Sequence, residues 1–211
     1  MHTSIIALSI LGALAVGTIS PGPSFVVVAR TAIARSRRDG LAAALGMGVG
    51  AVVFATLALV GLQAVLAKVP WLYVGLRLVG GLYLVAIAIA LWRGATDTIA
   101  VPDAGVRRTA APARSFVVGL STQLSNPKAA MTYASVFAAL LPAQVPVWLF
   151  GVLPPLVLLM ESGWYMIVAL AFSSDRPRAA YLGSKRWIDR IAGAIIGALG
   201  LRLVFDTVRP G

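Results

Sequence analysis

The sequence has no cysteine, and its one histidine, His2, stands at the terminus. No disulfide framework can form, and a zinc, copper or haem centre built from His and Cys is all but excluded. Acidic residues are scarce, with seven Asp and Glu against 18 Lys and Arg, and charged residues make up only 12% of the chain. The hydrolase patterns G-x-S-x-G and H-E-x-x-H are missing, as is any paired acidic motif for metals. An intramembrane hydrolase needs an aspartate pair or a serine with a base, and neither is available. No enzymatic role and no cofactor are expected.

What the chain has in abundance is hydrocarbon. Of its 211 residues 59% are hydrophobic, and the mean hydropathy is +0.90. That is far too apolar for a soluble domain of this size. Six segments exceed the roughly 18 to 20 residues needed to cross a bilayer. They are 5–29, 41–66, 71–92, 115–140, 147–172 and 188–207. The first is not read as a signal peptide: it lacks a basic leader, its apolar run is too long, and the arginines after it resist export.

The formal charge of +11 would suggest nucleic acid in a soluble protein. Here it reads as the positive-inside signal, and no nucleic-acid partner is expected. Thirteen of the 18 basic residues fall in the odd-numbered loops: Arg30, Arg35, Arg37 and Arg38; Arg93, Arg107, Arg108 and Arg114; Arg176, Arg178, Lys185, Arg186 and Arg190. The even loops and tails hold only Lys68 and Arg209. The odd loops should be cytoplasmic and both termini outside. Arg77 and Arg202, near span ends, read as interfacial anchors. Trp71, Tyr73 and Trp92 bracket the third span and suit the interfacial belt.

Residues 94–114 are rich in Ala, Pro, Thr and Arg and read as a flexible connector. They divide one transmembrane domain into a first repeat, 1–93, and a second, 115–211. Three spans each make the halves inverted. The first span of each half carries a break: Pro21-Gly22-Pro23 in one, Asn126-Pro127-Lys128 in the other. Arg77-Leu78-Val79-Gly80 and Arg190-Ile191-Ala192-Gly193 are a further echo between the third spans. Gly46 and Gly50, and Gly193 and Gly197, form G-x-x-x-G motifs that serve internal packing or, as an alternative, a homodimer.

The breaks carry the functional expectation. Proline removes a backbone donor, and lipid cannot pair the carbonyl thus freed. Such interruptions persist where they face protein or a wet cavity, and paired ones at matching places point to a transporter's binding site. Gly22 lets backbone approach a ligand, Ser20 and Ser24 add hydroxyls, and the helix restarting after Pro23 offers free amides to a carboxylate. Around Pro127 cluster Gln123, Ser125, Asn126 and Lys128, with Ser121 and Thr122 a turn earlier. Intramembrane amides and ammonium groups face the bundle interior. Asn126 can bond a ligand amine or a carboxylate, and Lys128 can counter a carboxylate. Glu161 is the only acidic residue deep within a span. Its three readings are a proton carrier, a ligand for a substrate amine, and a structural ion partner of Lys128. Trp164, three residues on, is placed to wall the same cavity.

At these residues the chain resembles the LysE/RhtB family of amino-acid exporters. The stretches that carry the likeness are Pro21-Gly22-Pro23-Ser24, Arg35-Ser36-Arg37-Arg38-Asp39-Gly40-Leu41 running into Gly46, and Gly80-Gly81-Leu82-Tyr83-Leu84. In the second half they are Gly119 to Gln123 leading to Asn126-Pro127-Lys128-Ala129-Ala130, Trp164-Tyr165, and Arg190-Ile191-Ala192-Gly193 running to Gly200-Leu201-Arg202-Leu203. Ser24 departs from the Asn or Asp more usual there. The resemblance implies about six helices in the inner membrane and amino-acid export by proton antiport. It gives weight to Pro21, Gly22, Pro23, Asn126, Pro127 and Lys128.

The expectation is therefore an all-α membrane protein of six spans in two inverted three-helix repeats, binding a zwitterionic amino acid between the breaks. Pro21, Gly22, Pro23, Ser24, Gln123, Asn126, Pro127 and Lys128 are the substrate residues, and Glu161 is the proton-coupling candidate. The alternatives are a non-transporting membrane scaffold and, disfavoured by the absent Cys and lone His2, a metal-ion exporter.

Overall fold

A computed structural model describes residues 2–68, 70–96, 111–142 and 145–208. Arg107, Arg108 and Arg209 lie outside the described residues, as do the side chains of His2, Lys68, Tyr73, Arg176 and Arg178. Eight helices are described: α1 His2–Ile19, α2 Pro23–Ala34, α3 Arg37–Lys68, α4 Pro70–Gly94, α5 Pro112–Leu124, α6 Pro127–Leu140, α7 Trp148–Phe172 and α8 Asp175–Val208. Four of them open on proline (α2, α4, α5 and α6), where a missing N–H costs nothing and the fixed φ suits the first turn.

Both expected breaks are present. The first segment splits into α1 and α2, which meet at a 58° bend. The fourth splits into α5 and α6, of 13 and 14 residues. Four stretches are long and apolar enough to cross a membrane as single helices: Arg37–Leu62, Val74–Gly94, Trp148–Phe172 and Ala179–Val208. The bent pair makes a fifth.

The last helix departs most from expectation. It starts at Asp175, not 188, so Lys185, Arg186 and Arg190 ride on α8 and not in a loop. Hydropathy marks the lipid-facing length of a helix, whereas Lys and Arg are good helix formers and extend it past that length.

Helix α3 runs through the middle, against α2, α5 and α7, while α4 packs along α8 and α6. Close approach explains the small residues. A Cβ at Gly46 would overlap the Phe116 carbonyl oxygen on α5, and one at Gly119 the Ala43 carbonyl oxygen on α3. Gly193 and Gly197 lie against Trp92 and Ala88 of α4. Both G-x-x-x-G faces are thus used within the chain. The RxxG echo is not repeated in packing, since Gly80 meets Ser135 on α6 while Gly193 meets Trp92. Gly119→Val is expected to cost about 3 kcal/mol or more, because two backbones must separate. A thermal melt of the purified protein in detergent reads this as a lowered Tm.

Outside the bundle, Leu57, Leu159, Ile167 and Phe205 are exposed, as lipid contact requires. Trp71 and Trp92, at opposite ends of α4, are exposed too. Inside, the buried side chains form two apolar clusters. One gathers Ile10, Leu14, Leu59, Leu84, Phe137 and Leu153. The other gathers Phe25, Val28, Met47, Tyr165, Val168 and Phe172.

At one end, Asp39 ties two helix starts together. Ser36 caps α3 by accepting from the Asp39 amide (3.1 Å) and donates back to its carboxylate. The same carboxylate accepts from the Ala111 amide (3.0 Å) and the Ser115 hydroxyl (2.8 Å) at the start of α5.

Candidate functional site

The two proline breaks meet. Because Pro23 begins α2, Gly22 is its N-cap in an extended conformation, and no side chain caps that end. Because Pro127 begins α6, Asn126 is its N-cap, and Oδ1 accepts from the amides of Lys128 (3.0 Å) and Ala129 (3.4 Å). The other end of the Asn126 amide crosses to the first half, with Nδ2 donating to Ser24 Oγ (3.0 Å). Ser24 Oγ donates on to Gln123 Oε1 (2.8 Å). One hydroxyl thus links the two breaks through a buried chain of three side chains.

A cavity of about 30 Å³ lies beside this chain, and Gly22, Ser24, Gln123, Asn126, Lys128 and Glu161 line it. Pro21, Pro23 and Pro127 shape the backbone but are not on its wall. The cavity separates the two apolar clusters: Leu14 and Tyr133 come from one, Tyr165 from the other. Its volume suits about two waters.

Lys128 reaches back over the first break. Its Nζ lies 3.5 Å from where a Gly22 Cβ would stand, so the ammonium covers the uncapped start of α2. On the other wall, Glu161 is buried in α7. Its Oε1 accepts from Thr18 Oγ1 on α1 and Tyr133 OH on α6, each at 2.9 Å. Among the described residues its Oε2 has no partner, so the ion pair with Lys128 is not formed. A buried carboxylate oxygen left open is costly unless a proton or a ligand completes it.

Some expectations shift in detail. Asn126 Oδ1 is engaged by backbone amides, which leaves the side chain a bridge between the breaks more than an open ligand. Trp164 is not on the wall of this cavity and packs instead near Tyr181, with centroids 6.5 Å apart. Tyr165 takes the expected place, because the fourth residue along a helix lies closer in angle to the first than the third does. Ser121 is exposed and bonds its own helix at Val118 O (3.1 Å). Arg202 pairs with exposed Asp206 (3.5 Å) and stands apart from the cavity.

Three residues that sequence reasoning passed over approach the first break from α8. Asp189 Oδ1 accepts from Ser20 Oγ (3.3 Å), and Oδ2 pairs with Lys185 Nζ (2.8 Å). Tyr181 OH donates to Ile19 O (3.4 Å). The signal was their spacing of four, obscured because Tyr181 and Lys185 read as loop while Asp189 fell just inside the last span.

Comparison with known proteins identifies the family. The family of LysE type translocators matches residues 15–207. The threonine efflux protein of Escherichia coli strain K12 is 34% identical over 193 residues, covering 90% of this chain and 93% of that protein. The threonine efflux protein of Salmonella typhi is 35% identical over 192 residues, with the same shares covered. The leucine efflux protein of Klebsiella pneumoniae is 30% identical over 183 residues, 84% of this chain and 82% of that one. No solved structure matches. With the family covering nearly the whole chain and relatives aligned end to end, this protein belongs to the LysE type translocators and is a membrane transporter, not an enzyme.

Proposed function

We propose that the protein exports a small neutral amino acid across the cytoplasmic membrane and binds it in the cavity where the breaks meet. The observation that carries this reading is the pairing, on one small cavity, of an ammonium over an uncapped helix start with an unpartnered carboxylate oxygen. Lys128 and the first amides of α2 take the substrate carboxylate. Glu161 Oε2 takes the amine, or the proton that replaces it. Ser24, Gln123 and Asn126 hold the two broken spans in register around the ligand, and Pro21, Pro23 and Pro127 keep the helix ends open. Threonine and leucine, named for the relatives, are the sizes to try first.

The spans are read as six, in inverted halves 1–93 and 115–211 joined by 94–114, with arginine-rich ends in the cytoplasm and both termini outside. Support comes from the matching position of the two breaks. It comes also from the pairing of α3 with α7 and α4 with α8, which a twofold axis exchanging the halves would produce. A cavity for about two waters is too small for an amino acid. Loading therefore requires one half to move against the other, and proton entry at Glu161 drives the cycle.

The test is growth of an exporter-deficient host on inhibitory amino acids and analogues, with labelled efflux from cells carrying the protein. Relief by threonine-sized or leucine-sized neutral substrates is the expected result. A protein present in the membrane that relieves none, and leaves every labelled amino acid where it was, overturns the reading.

A further inference from the structure

Proline at position 23 removes the N–H that would have bonded Ile19 O in a continuous helix. Tyr181 OH supplies that partner at 3.4 Å. The same ring stacks on Phe25, past the break, with centroids 4.9 Å apart. One side chain thus grips the last turn of α1 and the first turn of α2.

Two turns on, Asp189 holds the residue next to Pro21, accepting from Ser20 Oγ. Its other oxygen holds Lys185, whose Nζ also donates to Gly94 O at the end of α4 (2.7 Å). Asp189 and Lys185 are both buried, so their charges are held, not solvated. Residues 181, 185 and 189 stand one turn apart on a single face of α8.

Ser20, which Asp189 holds, lines the same cavity as Gly22 and Lys128, and the Lys128 ammonium lies over Gly22 two residues on. Lys185 takes the ion pair with Asp189, and among the described residues no carboxylate pairs with the Lys128 ammonium.

We propose that the Tyr181–Lys185–Asp189 face of α8 is a brace across the first break, and that Asp189 is a positioning residue that sets Lys128 and Gly22 for the substrate carboxylate. The brace explains why α8 continues as helix through charged residues in a region where a loop was expected. It also links α4, through Gly94, to the backbone that contacts the ligand. The part concerning the carboxylate rests on the amino-acid export proposed above.

The test uses the full-length protein in membrane vesicles. Asp189→Asn should raise KM for the transported amino acid about tenfold, the scale of one charge-assisted hydrogen bond, and leave maximal flux within about twofold. Asp189→Glu should recover part of the loss. Asn at 189 strands the Lys185 charge and can impair folding, so the Lys185→Met, Asp189→Asn double variant accompanies it. If Asp189 serves only to neutralise Lys185, the double variant returns KM to the wild-type value, and the proposal falls. If it positions Lys128, KM stays raised.

A second readout needs no substrate. The chain has no cysteine, so Thr132→Cys places a single thiol on the cavity wall. Its labelling by a small aqueous thiol reagent should quicken severalfold when the charge-neutral pair replaces Lys185 and Asp189. An unchanged labelling rate overturns the brace. Absence of any amino-acid flux in the wild type sinks the export reading alone.

Discussion

Glu161→Gln is expected to abolish uphill export while exchange of substrate across the membrane persists, with KM raised by the lost charge on the amine. Glutamine keeps the shape of the side chain, and its carbonyl oxygen can accept from Thr18 and Tyr133 as Glu161 Oε1 does. Packing should survive. What disappears is the ability of the second oxygen to gain and lose a proton. Coupling between proton and substrate is a free energy shared by two sites, typically worth about 5-fold to 150-fold in affinity. Without it, the ratio of substrate sustained across a vesicle should fall to about one. If proton entry drives export as proposed, wild-type export should quicken as the outer side is made more acidic, and the variant should not respond. Vesicles preloaded with labelled amino acid and given an imposed pH gradient measure both. Continued uphill export by the variant would remove Glu161 from the coupling.

Asn126→Ala is expected to lose both stability and transport. Two backbone amides of α6 lose their cap, at about 0.5–2 kcal/mol, and Ser24 loses a donor in a buried site, at about 1–3 kcal/mol. Export should drop at least tenfold, since each 1.4 kcal/mol is a factor of about ten. Asn126→Asp separates the two roles. Aspartate caps a helix as well as asparagine does but cannot donate to Ser24. It should keep most of the melting temperature and lose most of the flux. If alanine and aspartate reduce flux equally only because the protein has melted, then the bridge between the breaks carries nothing beyond stability.

Much of the site was legible because prolines act locally. Pro23 and Pro127 start helices whatever packs around them, so the breaks could be placed from the residues alone. Polar groups within lipid-crossing segments had to turn inward, which placed Ser24, Gln123, Asn126, Lys128 and Glu161 on the inside. Direction was harder. Nothing local says that the Asn126 oxygen turns to its own helix while its nitrogen reaches Ser24. Charge was misleading at one place: Lys185 read as part of a basic loop, yet it is buried against Asp189, which in turn holds Ser20 at the first break. Asp39 was visible only as part of a motif, because its partners Ala111 and Ser115 lie more than 70 residues away.

The oily interior is in two pieces, with the polar cavity between them. A canal lock works on the same plan. Either gate alone holds back the flow, so one can swing while its twin stays shut. In the export cycle proposed above, this arrangement leaves ions no continuous wet route, and the cell keeps its membrane potential.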